Sequence, residues 1–269
     1  MPPGRRVRLD AELVRRGLAS SRAEARRLIE QARVTVGGAP AFKTAALVGP
    51  GETIALTGAV PQYVSRGGIK LVGALDRLAV TVRGRECLDA GASTGGFTDV
   101  LLRAGAARVV AVDVGYGQLA WALRTDPRVV VLERTNVRRL TPGDVPPPAP
   151  TLVVADLSFI SLTLVLPALR AVATADADFV LLVKPQFEVG RERVGKGGVV
   201  RDPDAWADAM RRVVDGGAAL GLGLVAAVPS PLRGPAGNAE FFVHLRIDGT
   251  AHPESAIADA IADAGSVVQ

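Results

Sequence analysis

The stretch Leu88-Asp89-Ala90-Gly91-Ala92-Ser93-Thr94-Gly95-Gly96-Phe97 constrains this chain more than any other. A hydrophobic, strand-like approach runs into it and a helix-like run leaves it. A second strand-like segment follows, Val109-Val110-Ala111-Val112-Asp113, and ends in an acid. Strand, glycine turn, helix, strand and terminal acid form the order by which a doubly wound sheet holds a nucleoside-bearing ligand. The glycines let the backbone approach that ligand, and the acid faces its ribose hydroxyls.

The remainder of the chain fits such a sheet. Strand candidates fall at 86–90, 108–113, 128–132, 151–156, 179–184, 223–229 and 240–247, with helical stretches between most of them. Alternation of this kind means an α/β fold, a seven-stranded and mostly parallel sheet covered on both faces. Ile69 to Leu75 has helical spacing ahead of the first strand. Residues 249–269 lack a clear pattern and are expected to form a weakly ordered tail. The sole cysteine, Cys87, rules out an internal disulfide and reads as a buried, inert thiol. No apolar run has the roughly 18 residues of a membrane span, and no apolar core follows Met1-Pro2-Pro3-Gly4-Arg5-Arg6 as in a signal peptide. These features point to the cytoplasm.

Charge is unevenly placed. The net charge of the whole chain is +5, and residues 1–60 alone carry all of it, with ten Lys/Arg against five Asp/Glu. A basic segment joined to a neutral one suggests a module for a polyanion, nucleic acid above all. Leu9, Leu13, Val14 and Leu18 share helical spacing up to a stop at Gly17. Ser20 or Ser21 caps a second helix, with Glu24 placed for a capping box, and Ala25, Leu28 and Ile29 form its apolar stripe. Val34-Thr35-Val36 and Ile54-Ala55-Leu56 read as short strands. Arg22, Arg26, Arg27 and Arg33 recur along the second helix, and Arg5, Arg6, Arg8, Arg22, Arg26 and Arg27 are the candidate RNA contacts, with Arg66 at the end of the linker. Residues 5–58 therefore make a small α+β module, and 59–66 a linker. The module resembles the RNA-binding domain first seen in ribosomal small-subunit protein four. Arg8-Leu9-Asp10, Leu13, Gly17-Leu18, Ser20-Ser21-Arg22, Ala25, Ile29, Val34-Thr35-Val36 and Gly38 carry that resemblance, which implies binding of structured RNA through the second helix.

The loop spacing Asp89-x-Gly91-x-x-x-Gly95-Gly96 departs from the dinucleotide pattern. It lacks the middle glycine that lets a pyrophosphate sit on the helix N-terminus. An acid-led loop suits a cofactor without phosphates, and S-adenosylmethionine is the expected one. Asp89 is placed for its ammonium, Gly91, Ala92, Ser93, Thr94, Gly95, Gly96 and Phe97 line the turn, Asp113 takes the ribose, and Asn136 follows the third strand beside the adenine edge. A tight turn with no ligand is the plainer alternative.

Four more polar residues stand out, with a strand-end charge facing water as the plainer alternative for each. Asp156 and Lys184 end very apolar strands at the ligand-binding edge of the sheet, Lys70 lies on the preceding helix, and Glu240 reaches that edge if its strand runs antiparallel. Only four of the 32 basic residues are lysines: Lys43, Lys70, Lys184 and Lys196. Arginine keeps its proton inside a protein, whereas a buried lysine can surrender one. Lysine kept at two of these four places thus favours a proton-accepting role at Lys184 or Lys70.

The order Lys70, Asp156, Lys184, Glu240 around such a loop is similar to the Lys-Asp-Lys-Glu tetrad of FtsJ-like RNA ribose 2′-O-methyltransferases. Val64 to Gly68, Asp89 to Phe97, Asp113 to Leu119, Ala155 to Leu162 and Val183 to Glu188 resemble the TlyA family, whose members are sometimes called haemolysins. Tyr63 stands where some relatives have tryptophan. The resemblance implies a Rossmann-like class I methyltransferase domain over 67–248. It implies 2′-O-methylation of cytidine in ribosomal RNA, in 23S and often also 16S, whose loss can confer resistance to capreomycin-type antibiotics. Ribosomal RNA or subunits would be the partner, with no membrane. Lys184 is the expected base, and since the sulfonium is its own electrophile no metal is needed. Phe159, Phe187 and Phe241 are candidates to stack on a flipped nucleotide, with core packing the alternative. The glycine-rich run Gly190–Gly198 could form a lid. A ribosome assembly factor without turnover is the competing function.

Overall fold

The computed structural model describes residues 6–30, 33–41, 43–57 and 62–265. Two compact units divide the chain, Met1–Gln62 and Tyr63–Gln269. Arg5, residue 58 at the end of the expected module, and residues 59–61 of the expected linker lie outside the described residues.

The first unit opens with β1 (Val7–Arg8), α1 (Leu9–Arg15) and α2 (Arg22–Glu30), followed by β2 (Val34–Val36), β3 (Ala39–Pro40), β4 (Leu47–Val48) and β5 (Ile54–Leu56). Strands β3, β2 and β5 form one antiparallel sheet, and β1 pairs with β4. Leu9 and Leu13 of α1 meet Ala25, Leu28 and Ile29 of α2 over Val34, Val48 and Ile54. Gly17 adopts a left-handed φ of 70° where α1 stops. The Ser21 hydroxyl accepts the Glu24 amide at 3.2 Å, and the Glu24 carboxylate accepts the Ser20 amide at 2.6 Å. The expected capping box thus forms one residue wider than its usual register.

The second unit runs α3 (Arg66–Arg77), β6 (Glu86–Ala90), α4 (Gly96–Arg103), β7 (Arg108–Val112), α5 (Trp121–Arg124), β8 (Val129–Leu132), β9 (Leu152–Ala155), α6 (Leu166–Val172), β10 (Asp178–Val183), α7 (Pro185–Glu188), α8 (Pro203–Ala218), β11 (Gly223–Pro229), β12 (Phe241–Arg246) and α9 (Pro253–Ala264). The seven strands stand in the order β11-β12-β10-β9-β6-β7-β8, and β12 alone runs antiparallel to its neighbours. The order reverses at β6, between β7 on one side and β9 on the other. The crevice for a ligand in an open sheet opens beyond the strand ends at such a switch point.

Successive strand residues point to opposite faces. Leu88, Ala90, Val153, Ala155, Leu181 and Val183 face one core with α6, α8 and α9. Cys87, Val109, Ala111, Leu152, Val154 and Leu182 face the other with α3 and α4. Burial pushes the Cys87 thiol up to about 12, as suits an inert packing residue. Asp89 lies two residues beyond Cys87 and so shares its face, on the α4 side.

The expected weakly ordered tail is corrected by α9. That helix lays Ile257, Ala260 and Ala264 on the core beside β11 and α8. Two of its three buried residues are alanines, which give little periodic hydrophobic signal in sequence. Among the described residues, no helix is long and apolar enough to cross a membrane.

Candidate active site

The turn after β6 is shaped by two backbone constraints. Gly91 has φ 85°, and a Cβ there would stand 2.5 Å from the Asp156 carbonyl oxygen. Only glycine lets this turn touch the end of β9. Ser93 also adopts a left-handed φ, of 48°, and its amide is held by Asp113 Oδ2 at 2.8 Å. Asp113 Oδ1 accepts the Gly115 amide at 2.6 Å. Oδ2 of Asp113 therefore ties the turn after β6 to the end of β7, Oδ1 holds the turn that follows Asp113 itself, and each keeps a further lone pair for a ligand.

Asp89 is fully buried. Its Oδ2 accepts the Thr98 hydroxyl at 2.7 Å. Its Oδ1 has no hydrogen-bond partner among the described residues. Burial, with Asp156 and Asp113 nearby, pushes its carboxyl up to about 7 despite the Thr98 bond. An orphaned carboxylate oxygen at the switch point calls for a cation or a donor, and the ammonium of a cofactor's amino-acid end fits it.

The other expected turn residues divide by surroundings. Ala92 and Gly96 are buried, Thr94 is half-buried, and Gly95 carries φ 98°. Phe97 is a core residue, its ring 6.1 Å from that of Phe242, so it offers a ligand only backbone. Asn136 is exposed past β8 and spends its Oδ1 capping the 3-10 turn Val137–Arg139 through the Arg138 amide at 3.0 Å.

The structure brings the four expected catalytic residues to one edge as two ion pairs. Lys70 Nζ donates to Glu240 Oε2 at 2.5 Å, and both groups are buried. Lys184 Nζ stands 2.5 Å from Asp156 Oδ1 and also donates to Ser158 Oγ at 3.0 Å. Val183 of β10 faces Phe241 of β12, and the antiparallel register sets Lys184 opposite Glu240. Gly234 makes room: a Cβ there would lie 2.5 Å from Glu240 Oε1. Every buried charge in this group faces an opposite one, as burial demands.

Sequence reasoning missed three supports of the site. Glu188, buried at the end of α7, accepts the Leu162 amide at 2.8 Å and the Ser161 hydroxyl at 2.5 Å, clasping the loop after β9 to the helix after Lys184. Asn238 holds Val200 N and Gly198 O, each at 2.9 Å, so the glycine-rich run expected as a lid is latched to the turn before Glu240. Ser158 bonds Lys184. Each is an isolated polar residue with no periodic partner in the sequence. Of the three stacking candidates, Phe241 is fully buried against Trp206. Phe159 is 90% exposed with φ 64°, its ring 5.2 Å from that of half-buried Phe187.

In the first unit, the expected RNA contacts are partly committed to one another. Asp10, fully buried, accepts from Arg8 at 2.9 and 3.0 Å and from Arg22 at 3.1 and 3.2 Å, with Arg26 3.7 Å away. Arg8, through its hydrogen bonds, holds the Asp10 carboxyl well below the usual carboxylate range. Arg6 pairs with Glu52 at 2.7 Å. Arg27 is exposed on α2. In the second unit Arg66 is exposed and donates to the Arg233 carbonyl at 3.1 Å.

Comparison with known proteins places both segments of the chain in families. Residues 63–247 match the FtsJ-like methyltransferase family and residues 7–54 the S4 domain. The 16S/23S rRNA (cytidine-2'-O)-methyltransferase TlyA of Mycobacterium tuberculosis is 59% identical over 90% of each chain. Hemolysin A of Brachyspira hyodysenteriae is 36% identical over 90% of this chain and 100% of its own. A solved Streptococcus thermophilus structure that carries a hemolysin name superposes with a TM-score of 0.76 at 38% identity, covering 97% of this chain and 96% of that one. The chain therefore belongs to the FtsJ-like methyltransferases and, within them, to the TlyA family.

Proposed function

We propose that this chain transfers a methyl group from S-adenosylmethionine to the 2′-hydroxyl of cytidine in cytoplasmic ribosomal RNA, 23S and 16S. The observation that carries the reading is the pair of buried Lys–carboxylate contacts, Lys70–Glu240 and Lys184–Asp156, at the strand edge that also bears the unpartnered Asp89 oxygen. The name of the mycobacterial relative supplies the acceptor.

When bound, the sulfonium supplies an electrophilic methyl carbon whose bonding pair stays on sulfur. Asp89 Oδ1 holds the cofactor's ammonium, Asp113 its ribose hydroxyls, and Asn136 its adenine edge through the amide nitrogen that the cap leaves over. A ribose hydroxyl is a poor nucleophile until its proton leaves. Lys184 in its neutral form accepts that proton, and Asp156 then stabilises the ammonium so formed. Lys70, fixed by Glu240, places positive charge where the oxygen becomes negative. The remaining task is alignment, which can lower a barrier by on the order of 7 kcal/mol or more when reacting atoms are held in line. Phe159 offers an exposed ring face on which a flipped base can stack. The N-terminal arginines supply salt-dependent affinity for RNA.

One experiment tests the reading: incubation with tritiated S-adenosylmethionine and unmodified ribosomal subunits, with mapping of any 2′-O-methyl group. Methyl transfer to cytidine is expected, together with its loss in Lys184→Ala while cofactor binding persists. An assembly factor without turnover would instead bind RNA and incorporate no label. Full activity in Lys184→Ala would remove that residue from the base role.

A further inference from the structure

Two oxygens crowd the side-chain nitrogen of Lys184. Asp156 Oδ1 stands 2.5 Å away in the ion pair, and Ser158 Oγ accepts at 3.0 Å. Both come from the three residues just past β9, and Lys184 is buried while Ser158 is exposed. A neutral amine has two N–H bonds and one lone pair. Electron-rich oxygens draw the N–H bonds and repel the lone pair. A single oxygen fixes one N–H and leaves the amine free to turn about that contact. A second oxygen in contact, here the ion-paired Asp156 Oδ1 beside the hydrogen-bonded Ser158 Oγ, narrows that freedom and favours a lone pair turned to the side neither oxygen occupies.

We propose that Ser158 is a positioning residue for methyl transfer, holding the neutral Lys184 amine so that its lone pair faces the incoming ribose hydroxyl. The inference rests on the reading of Lys184 as the base. In that step the ribose O–H bond breaks, the proton bonds to nitrogen through the lone pair, and the O–H bonding pair stays on the oxygen that takes the methyl carbon. Lys184 ends as an ammonium beside Asp156 and passes its proton to water.

The surrounding backbone is built to aim Ser158. Phe159, its neighbour, has φ 64°, a left-handed conformation uncommon for a bulky residue and kept only where the surroundings enforce it. Three residues further, Glu188 accepts from Ser161 and Leu162 and locks this loop to α7. Lys184 is the residue that caps α7. The acceptor and the amine therefore sit on two segments clamped to each other.

The test compares Ser158→Ala and Ser158→Thr with the unaltered chain, in single-turnover methyl transfer to unmodified ribosomal subunits across a range of pH. Ser158→Ala should slow transfer about tenfold, the scale of one lost orienting hydrogen bond. RNA concentration dependence and cofactor affinity should stay within about twofold of the original. The acidic limb of its rate profile should move to lower pH, since the charged base has lost an acceptor. Ser158→Thr, which keeps the hydroxyl, should restore rate and profile. An unchanged rate and profile in Ser158→Ala overturns the inference, as does a Ser158→Thr variant that binds cofactor yet stays as slow as Ser158→Ala. Lys184→Ala is run alongside. If it still transfers methyl, the base reading has failed and this inference with it. If it is inactive while Ser158→Ala is normal, the positioning role alone has failed.

Discussion

Lys70 and Glu240 meet 2.5 Å apart, buried, across 170 residues of sequence. The contact joins the helix in front of the first strand to the one strand that runs against the sheet. Because β12 is antiparallel, its start rather than its end lies at the ligand-binding edge. A carboxylate there can answer a lysine delivered by α3, and the two remote segments close the same site that β6 and β9 open.

Breaking this pair from one side should cost more than removing it whole. Lys70→Ala leaves Glu240 buried and unpaired, a loss of about 3–5 kcal/mol. Lys70→Met combined with Glu240→Leu should recover most of that stability, because no charge is left stranded. Neither variant should transfer methyl. Urea denaturation beside the methyl-transfer assay checks both halves; a double variant as unstable as Lys70→Ala would show that the pair is not the cause.

Asp89 should trade stability for ligand binding. Its carboxyl is raised from 3.8 to about 7 in the folded chain. A raised acid binds more protons folded than unfolded, so stability falls as pH rises from about 4 to about 7. Integrated over that window the penalty is on the order of 4 kcal/mol without ligand. Asp89→Asn keeps an acceptor for Thr98 and removes the charge. It should raise the Tm of the ligand-free protein at pH 7.5, flatten the pH dependence, and weaken S-adenosylmethionine binding at least tenfold by calorimetry. A lower Tm at pH 7.5 would contradict the account.

The seven main strands are legible in the sequence because most are short apolar runs with a clear stop, and β6, which carries Glu86 and Asp89, is marked instead by the glycine turn that follows it. Asp156, Lys184 and Glu240 are legible as lone charges bordering such runs: Asp156 and Lys184 close theirs, and Glu240 opens its own. Strands of two residues, such as Val7–Arg8 and Leu47–Val48, are too short for any periodicity. Asp10 was read only as part of a family motif, since nothing local shows that a charged residue next to Leu9 is fully buried. Its burial changes the meaning of the basic surplus. Arg8 and Arg22, counted as a face for RNA, are also the residues that keep Asp10 charged inside the unit.

That double role gives the first unit a directional acid sensitivity. The Asp10 carboxyl is depressed, so its contribution is present above the ordinary carboxylate range near 3.9 and is lost as pH falls below it. The amide signals of α1 and α2 should broaden or collapse in NMR spectra below about pH 4, and less steeply in Asp10→Asn, which should be less stable at neutral pH. Arg27, exposed on α2, should behave differently. Arg27→Ala should leave folding unchanged and reduce the slope of log affinity against log salt by roughly 0.7–0.9, one phosphate contact. An Arg27→Ala chain with an unaltered salt slope would take that face out of the RNA interface.

The C-terminal helix should be needed for stability and not for chemistry. Ile257 is buried where α9 packs on β11 and α8, and it is not a residue of the site. Ile257→Ala removes three methyl-group equivalents from a packed interface, a loss of about 2–4 kcal/mol. The Tm should fall by several degrees, while single-turnover methyl transfer at 25 °C stays within about twofold of the original. Ile257→Asp buries an unpaired charge at the same place and should lower stability further. If Ile257→Ala instead slowed transfer with Tm unchanged, α9 would have to act on the site through β11 and β12, the strand that Glu240 opens.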